Sequence, residues 1–223
     1  INKLDGTSSS NIKKYYQAFF RVFEKARTNR LIFINPAEGL DLPEGTKGTH
    51  RALERWETDC ILKNWNQHRC GLWAMLMLLC GLRRGEMMAL RWENIDMEKK
   101  QLRVREVAVI ASNKSKIEER AKSISGLRIL PICGPLWEAL NTVPPEKRTG
   151  LVCVSAKGEQ ISGSAFDRGW DGFNLAMKRI LNGEPVVQQG RREALETKIA
   201  KAEKEGRQYI IFDTLAHDLR HTF

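Results

Sequence analysis

The chain has 223 residues, a formal net charge of +10 and a pI near 9.5, with 42% hydrophobic and 29% charged residues. That composition excludes a disordered chain and suffices for one sizeable core plus part of a second unit. The positive excess favours a polyanionic partner, for which nucleic acid is the default, although charge alone describes a merely soluble basic protein equally well. The longest apolar run, Leu72 to Cys80, is far short of the about 20 residues that span a bilayer, so no membrane partner is expected. The five cysteines, Cys60, Cys70, Cys80, Cys133 and Cys153, are odd in number and form no Cys-x-x-Cys pair. They are read as reduced thiols of a cytoplasmic protein.

In chain order, Ser8, Ser9 and Ser10 offer N-caps to a first helix over 8–29. Ile12, Tyr15, Tyr16, Phe19, Val22, Phe23 and Ala26 share one face of it. So aromatic a face needs partners, expected N-terminal to residue 1. Gly39, Pro43, Gly45 and Gly48 mark 39–50 as a linker. A helix follows from about Arg51 to Trp65; Glu57 and Asp59 suit its dipole, and Trp56, Cys60, Ile61 and Trp65 are expected in the core. Leu72–Cys80 reads as a buried helix that Gly81 ends at positive φ. Gly85 is expected to keep the next turn narrow before a short helix over 86–91. The corner presents Arg83 beside the core, and a planar guanidinium held there suits a phosphate or a carboxylate; taken alone, the stretch better fits a surface arginine pair after a helix. Glu86, three residues on, either holds Arg83 or lies solvated at the helix start.

Gln101–Ile110 and Leu127–Ile132 read as two strands of a β-hairpin. The lysine-rich connection over 112–125 is long enough to be functional. Residues 135–141 are expected to be helical and 151–154 a short strand. Ser164 is expected to cap a helix whose stripe of Phe166, Trp170, Phe173, Met177, Ile180 and Leu181 is core. Residues 191–205 suit a charge-laced peripheral helix with a thin apolar stripe of Leu195, Ile199 and Ala202. Thr214 can cap a last helix from Leu215, which places His217, Arg220 and His221 on one face and turns Leu219 to the core. A His-x-x-x-His pair can bind zinc, but Arg220 shares the face and repels a cation, and no third ligand accompanies the pair. Neither a metal nor another cofactor is expected.

Two stretches together carry a resemblance. Gly81-Leu82-Arg83-Arg84-Gly85-Glu86, with Leu90, Trp92, Asn94, Ile95 and Asp96 behind it, matches a Gly-Leu-Arg-x-Gly-Glu box. His217-Asp218-Leu219-Arg220-His221-Thr222 matches a His-x-Leu-Arg-His-Thr box. In this order and spacing they make the chain resemble, over nearly its whole length, the tyrosine recombinases, the lambda-integrase-like family of site-specific DNA recombinases. The resemblance implies a mixed α/β fold: a mainly α-helical catalytic domain with a small antiparallel β-sheet at 51–223. The end of a helical core-binding domain precedes it at 1–38, with Asn35-Pro36-Ala37 as its closing turn. The linker at 39–50 would join two halves of a clamp around double-stranded DNA.

The resemblance also implies the site: Arg83, Lys122, His217 and Arg220 as catalytic residues. Lys122 is selected because Ala121-Lys122-Ser123 precedes Arg128-Ile129-Leu130-Pro131 as in the family's hairpin; Lys114 and Lys116 are rivals. Such cations suit the charge that gathers on an attacked phosphodiester. Lys122 would protonate the leaving 5′-oxygen and His217 would assist proton transfer. The sequence offers no carboxylate cluster for Mg²⁺ and no P-loop. The family's cycle runs through a 3′-phosphotyrosine, with four protomers on two paired sites of a phage or other mobile element. Its nucleophile is expected a few tens of residues beyond Arg220. Tyr15 and Tyr16 fall on the first helix and Tyr209 reads as structural, so the stretch ending at Phe223 is expected to bind DNA without cleaving it. Two alternatives compete: a non-catalytic DNA-binding regulator derived from an integrase, and a type IB topoisomerase-like enzyme.

Overall fold

The computed structural model describes residues 7–45, 51–119, 127–186 and 195–222. The chain divides into two compact units, Ile1–His50 and Arg51–Phe223. In the first, helix α1 (Ser9–Thr28) starts at Ser8, whose side chain accepts from the Asn11 N–H. The Asn35-Pro36-Ala37 turn is built around a buried asparagine. Asn35 Oδ1 accepts from Ala37 N at 2.9 Å, while Nδ2 donates to the Phe20 carbonyl at 3.2 Å. This side chain replaces backbone partners that an irregular turn would otherwise leave unsatisfied. Ser9 Oγ donates to the Gly45 carbonyl at 2.7 Å, so residues as far as Gly45 lie along α1. Of the aromatic face, Ile12 is buried, whereas Tyr15, Phe19 and Val22 are each more than half exposed.

The second unit is a mixed α/β fold centred on α3 (Gly71–Cys80). Trp73 to Leu78 are all buried, as a helix that is apolar on every side requires. It packs against α2 (Arg55–Asn64), α5 (Gly134–Asn141) and α8 (Ala216–Thr222). Helix α6 (Gly163–Leu181) adds a stack of rings: Phe166 lies parallel to Trp73 and Trp170, with centroids 5.7 and 5.9 Å apart. The expected stripe on α6 is therefore core. Its cap is Ser162, two residues before the expected Ser164; the Ser162 side chain accepts from Ala165 N, while Ser164 bonds Asn113. Trp56 departs from the expectation too. It is 40% exposed, its indole donating to Glu54 Oε2 at 2.7 Å, whereas Cys60 and Ile61 are buried.

The β structure is more divided than the sequence suggests. Strands β1 (Ile95–Asp96), β2 (Gln101–Val104) and β5 (Arg128–Pro131) form one antiparallel sheet, with Leu102 opposite Leu130. Strands β3 (Glu106–Ala111) and β4 (Lys114–Glu119) form a separate hairpin, with Ala108 opposite Ile117. The single strand expected over 101–110 thus breaks at Arg105, and part of the expected connection is strand. Ser112 and Asn113 explain it. Both take positive φ, 47° and 64°, the two-residue turn that matches strand twist and tolerates asparagine. Helix α7 (Leu195–Lys204) is tethered by the ion pair of Lys198 with Glu184, and Tyr209 Oη donates to Glu184 at 3.2 Å. All five cysteines are free thiols, and all but Cys133 are buried. Among the described residues no helix is long and apolar enough to cross a membrane.

Candidate active site

The site is built at the end of α3. Gly81 caps that helix in the left-handed conformation, φ 56° and ψ 30°, so the chain turns sharply without a Cβ clash. Arg83 is the N-cap of the next helix, α4 (Arg84–Ala89), and Glu86 is its third residue. Glu86 folds back to close the cap, its Oε2 accepting from Arg83 N at 2.9 Å. The glycine beside them serves a different purpose from the expected narrow turn. A Cβ at position 85 would stand 2.6 Å from the Ala108 carbonyl oxygen, so its absence lets β3 press against α4.

Glu86 is the hub. Its side chain has no exposed surface. Arg83 Nη1 donates to Oε1 at 3.0 Å, and Arg128, the first residue of β5, forks onto the carboxylate with Nη1–Oε1 at 3.1 Å and Nη2–Oε2 at 2.7 Å. Arg220, on α8, brings Nη1 to 4.0 Å from Oε2 and donates from the same nitrogen to the Gly81 carbonyl at 3.0 Å. Three guanidiniums from three elements thus meet one carboxylate. Burial pushes the Glu86 carboxyl upward. The opposing hydrogen bonds from Arg128 and the Arg83 backbone, with the Arg128 charge, outweigh it and hold the group down to about 2. A buried charge persists only when paired in this way.

Among these four side chains, three positive charges face one negative. The arginines are not sealed in: their side chains are 49% exposed for Arg83, 29% for Arg220 and 25% for Arg128. Arg84 behaves differently from its neighbour. It stacks over Phe166 at 5.3 Å and lies 3.4 Å from Asp167 Oδ1, a packing role. A cleft of about 460 Å³ opens between α4, α6 and the start of α8, and Arg83 and His217 both line it. His217 and His221 meet edge to face with ring centroids 4.7 Å apart. Among the described residues no group of three or more His, Cys, Asp or Glu side chains stands close enough to hold a metal.

Of the four residues expected at the site, the fold brings Arg83 and Arg220 onto one carboxylate and places His217 in the cleft beside Arg83. Lys122 lies outside the described residues. Its rivals sit on β4, where both are exposed and Lys116 faces Glu118 at 3.4 Å; neither touches the arginine cluster. Thr214 does not cap α8. It is buried, and its hydroxyl donates to Asn174 Oδ1 at 3.0 Å, while Asp218 Oδ2 accepts from Leu215 N at 3.0 Å and caps the helix instead. Leu219 is fully buried, as expected. Sequence reasoning missed Arg128. Its signal was alternation: on β5 residues 128 and 130 are turned inward while Ile129 and Pro131 are exposed, so an arginine occupies an inward position that calls for a buried partner.

The model of the phage integrase family matches residues 52–223, most of the sequence. The chain belongs to the phage integrase family. Its fold is similar to that of the Tn1549 transposon integrase, solved in complex with transposon right end DNA (TM-score 0.67, 16% identity) and with a circular intermediate DNA (TM-score 0.66, 15% identity). In both comparisons 98% of this chain is covered, and it spans 66% of the length of the integrase chain, a little under two thirds. No curated protein sequence matches it significantly. The family model spans both boxes, so the Arg83 corner and the α8 helix of this phage integrase family member fall within one matched region.

Proposed function

We propose that this chain is the DNA-binding and catalytic portion of a site-specific recombinase of a phage or other mobile element, one that breaks and rejoins double-stranded DNA by phosphoryl transfer. The observation that carries this reading is the pair Arg83 and Arg220, anchored by one buried carboxylate and still partly open to solvent. An arginine fork held in advance stabilises the charge that develops on the non-bridging oxygens of an attacked phosphodiester more than it stabilises the ground state. His217, which lines the adjoining cleft with Arg83, is assigned the assistance of proton transfer at the same phosphate. Lys122 is assigned the protonation of the leaving 5′-oxygen.

In this reading the attacking group is a tyrosine, and the 3′-phosphotyrosine link conserves bond energy for rejoining. None of the three tyrosines of this sequence takes that role: Tyr15 and Tyr16 lie on α1 and Tyr209 is buried against Glu184. Assembly as four protomers on two paired sites completes the proposal. The Tn1549 transposon integrase structures, which hold transposon DNA, support a DNA substrate for this relative.

The test is strand cleavage by the full-length protein on duplexes from the boundaries of its own element. Arg83→Ala and Arg220→Ala each should lower covalent-complex formation by about 10²- to 10³-fold, the cost of removing one preorganised donor. Duplex binding should persist and remain salt-dependent, because many other phosphate contacts sustain it. Cleavage at the wild-type rate by either variant overturns the assignment.

A further inference from the structure

We infer that Arg128 is a positioning residue of this site, which sets the orientation of Arg83 and Arg220 through Glu86. The inference rests on the proposed phosphate-binding role of those two arginines. Its basis is how the oxygens of Glu86 are shared. Each oxygen accepts one bond from the Arg128 fork and one from Arg83: Oε1 takes the Arg83 side chain and Oε2 the Arg83 backbone N–H.

The fork fixes the plane of the carboxylate, because two parallel bonds from a rigid guanidinium leave it no rotation. Arg83 is then tied by Nη1 alone, and its side chain, half exposed, keeps its remaining donors for a ligand. Without Arg128, the buried carboxylate would have to draw a second bond from Arg83 or Arg220 to stay paired. Either change turns a phosphate-binding nitrogen inward, away from a ligand. Arg128 thus does for the carboxylate what would otherwise consume the site's own cations. It also joins the β2–β5 sheet to the α4 corner, since it pairs with Val104 in the sheet while its side chain reaches Glu86. A lysine could supply the charge but not the fork.

The experiment compares Arg128→Ala, Arg128→Lys and Arg128→Gln in the full-length protein, alone and with Glu86→Gln, on a duplex carrying its own recombination site. Arg128→Ala should slow covalent-complex formation by about a hundredfold, the scale of a small misplacement at a reacting centre, with duplex affinity held within about threefold. Arg128→Lys should fall between Arg128→Ala and wild type. In the Glu86→Gln background the Arg128 substitutions should add little, because both act through one group. Wild-type rates in Arg128→Ala, or penalties that multiply fully with Glu86→Gln, overturn the positioning role. If Arg128→Ala does not fold, Arg128→Lys and Arg128→Gln carry the same comparison. A wild-type protein that forms no covalent complex fails the recombinase reading itself. A cleaving wild type with indifferent Arg128 variants fails only this inference.

Discussion

Helices α2 and α4 open with the same device. In each, the third residue is a buried glutamate that accepts from the backbone N–H of the N-cap, Glu57 from Glu54 and Glu86 from Arg83, both at 2.9 Å. Each glutamate also pairs with an arginine. On α2, Arg51 forks onto Glu57 with both bonds at 2.5 Å, the carboxylates of Glu54 and Asp218 add to the field on Arg51, and the result is a well-closed cap. On α4 one carboxylate faces three guanidiniums. The same local chemistry yields a fastener with one arginine in one place and a cradle of three arginines in the other. What separates them is the number of cations that distant elements deliver. A capping glutamate in a sequence therefore does not by itself distinguish the two; the number of its partners does.

The largest effect should come from removing the hub. Glu86→Ala leaves three closely spaced guanidiniums without their counter-ion, and should cost about 3–5 kcal/mol of stability together with nearly all cleavage. Urea unfolding and covalent-complex assays read the two losses. A stable, active Glu86→Ala protein would break the comparison outright.

How far the sequence revealed this site follows from the same contrast. Arg83 and Arg220 were legible because each sits in a short box with its own local logic, a glycine-ended helix or a helical face. Arg128 was not, because nothing within five residues of it says what it meets; its partner lies 42 residues away. The fold class was legible through the resemblance that the two boxes carry. The β3–β4 hairpin was not, because a lysine-rich strand exposed on one face reads like a loop until its pairing with β3 is known. Thr214 and Trp56 misled in a related way. Each obeys a sound local rule, but Asn174 engages the first and the surface position of α2 leaves the second 40% exposed.

Acid sharpens the comparison next. The Glu86 carboxyl is held at about 2 against an ordinary 4.5. A carboxylate with a depressed folded-state value contributes its stability above 4.5 and loses it as the pH falls towards 2, on the order of 3 kcal/mol in all. The wild-type protein should thus lose stability steeply across that window, and Glu86→Gln should flatten that part of the curve. Curves of equal slope for the two proteins would show that the carboxylate is not held down by its partners.

The smallest effect should fall on the twin. Glu57→Gln keeps the shape of the α2 cap but removes the charge that pairs with Arg51, at a cost of about 1–3 kcal/mol. Cleavage per folded molecule should be unchanged, measured at a temperature well below the melting transition. A selective loss of cleavage in Glu57→Gln would mean that the α2 fastener also serves the cradle.

The bond from Arg220 to the Gly81 carbonyl joins residues 139 positions apart. At a synthesis rate of roughly 5–20 residues per second, α8 is made about 7 to 28 seconds after the Arg83 corner. Through roughly the last two thirds of that interval a nascent chain carries Arg83, Glu86 and Arg128 but not Arg220. The arginine cluster is complete only once α8 has closed onto the end of α3, so a nascent chain that has not yet reached α8 holds only part of it.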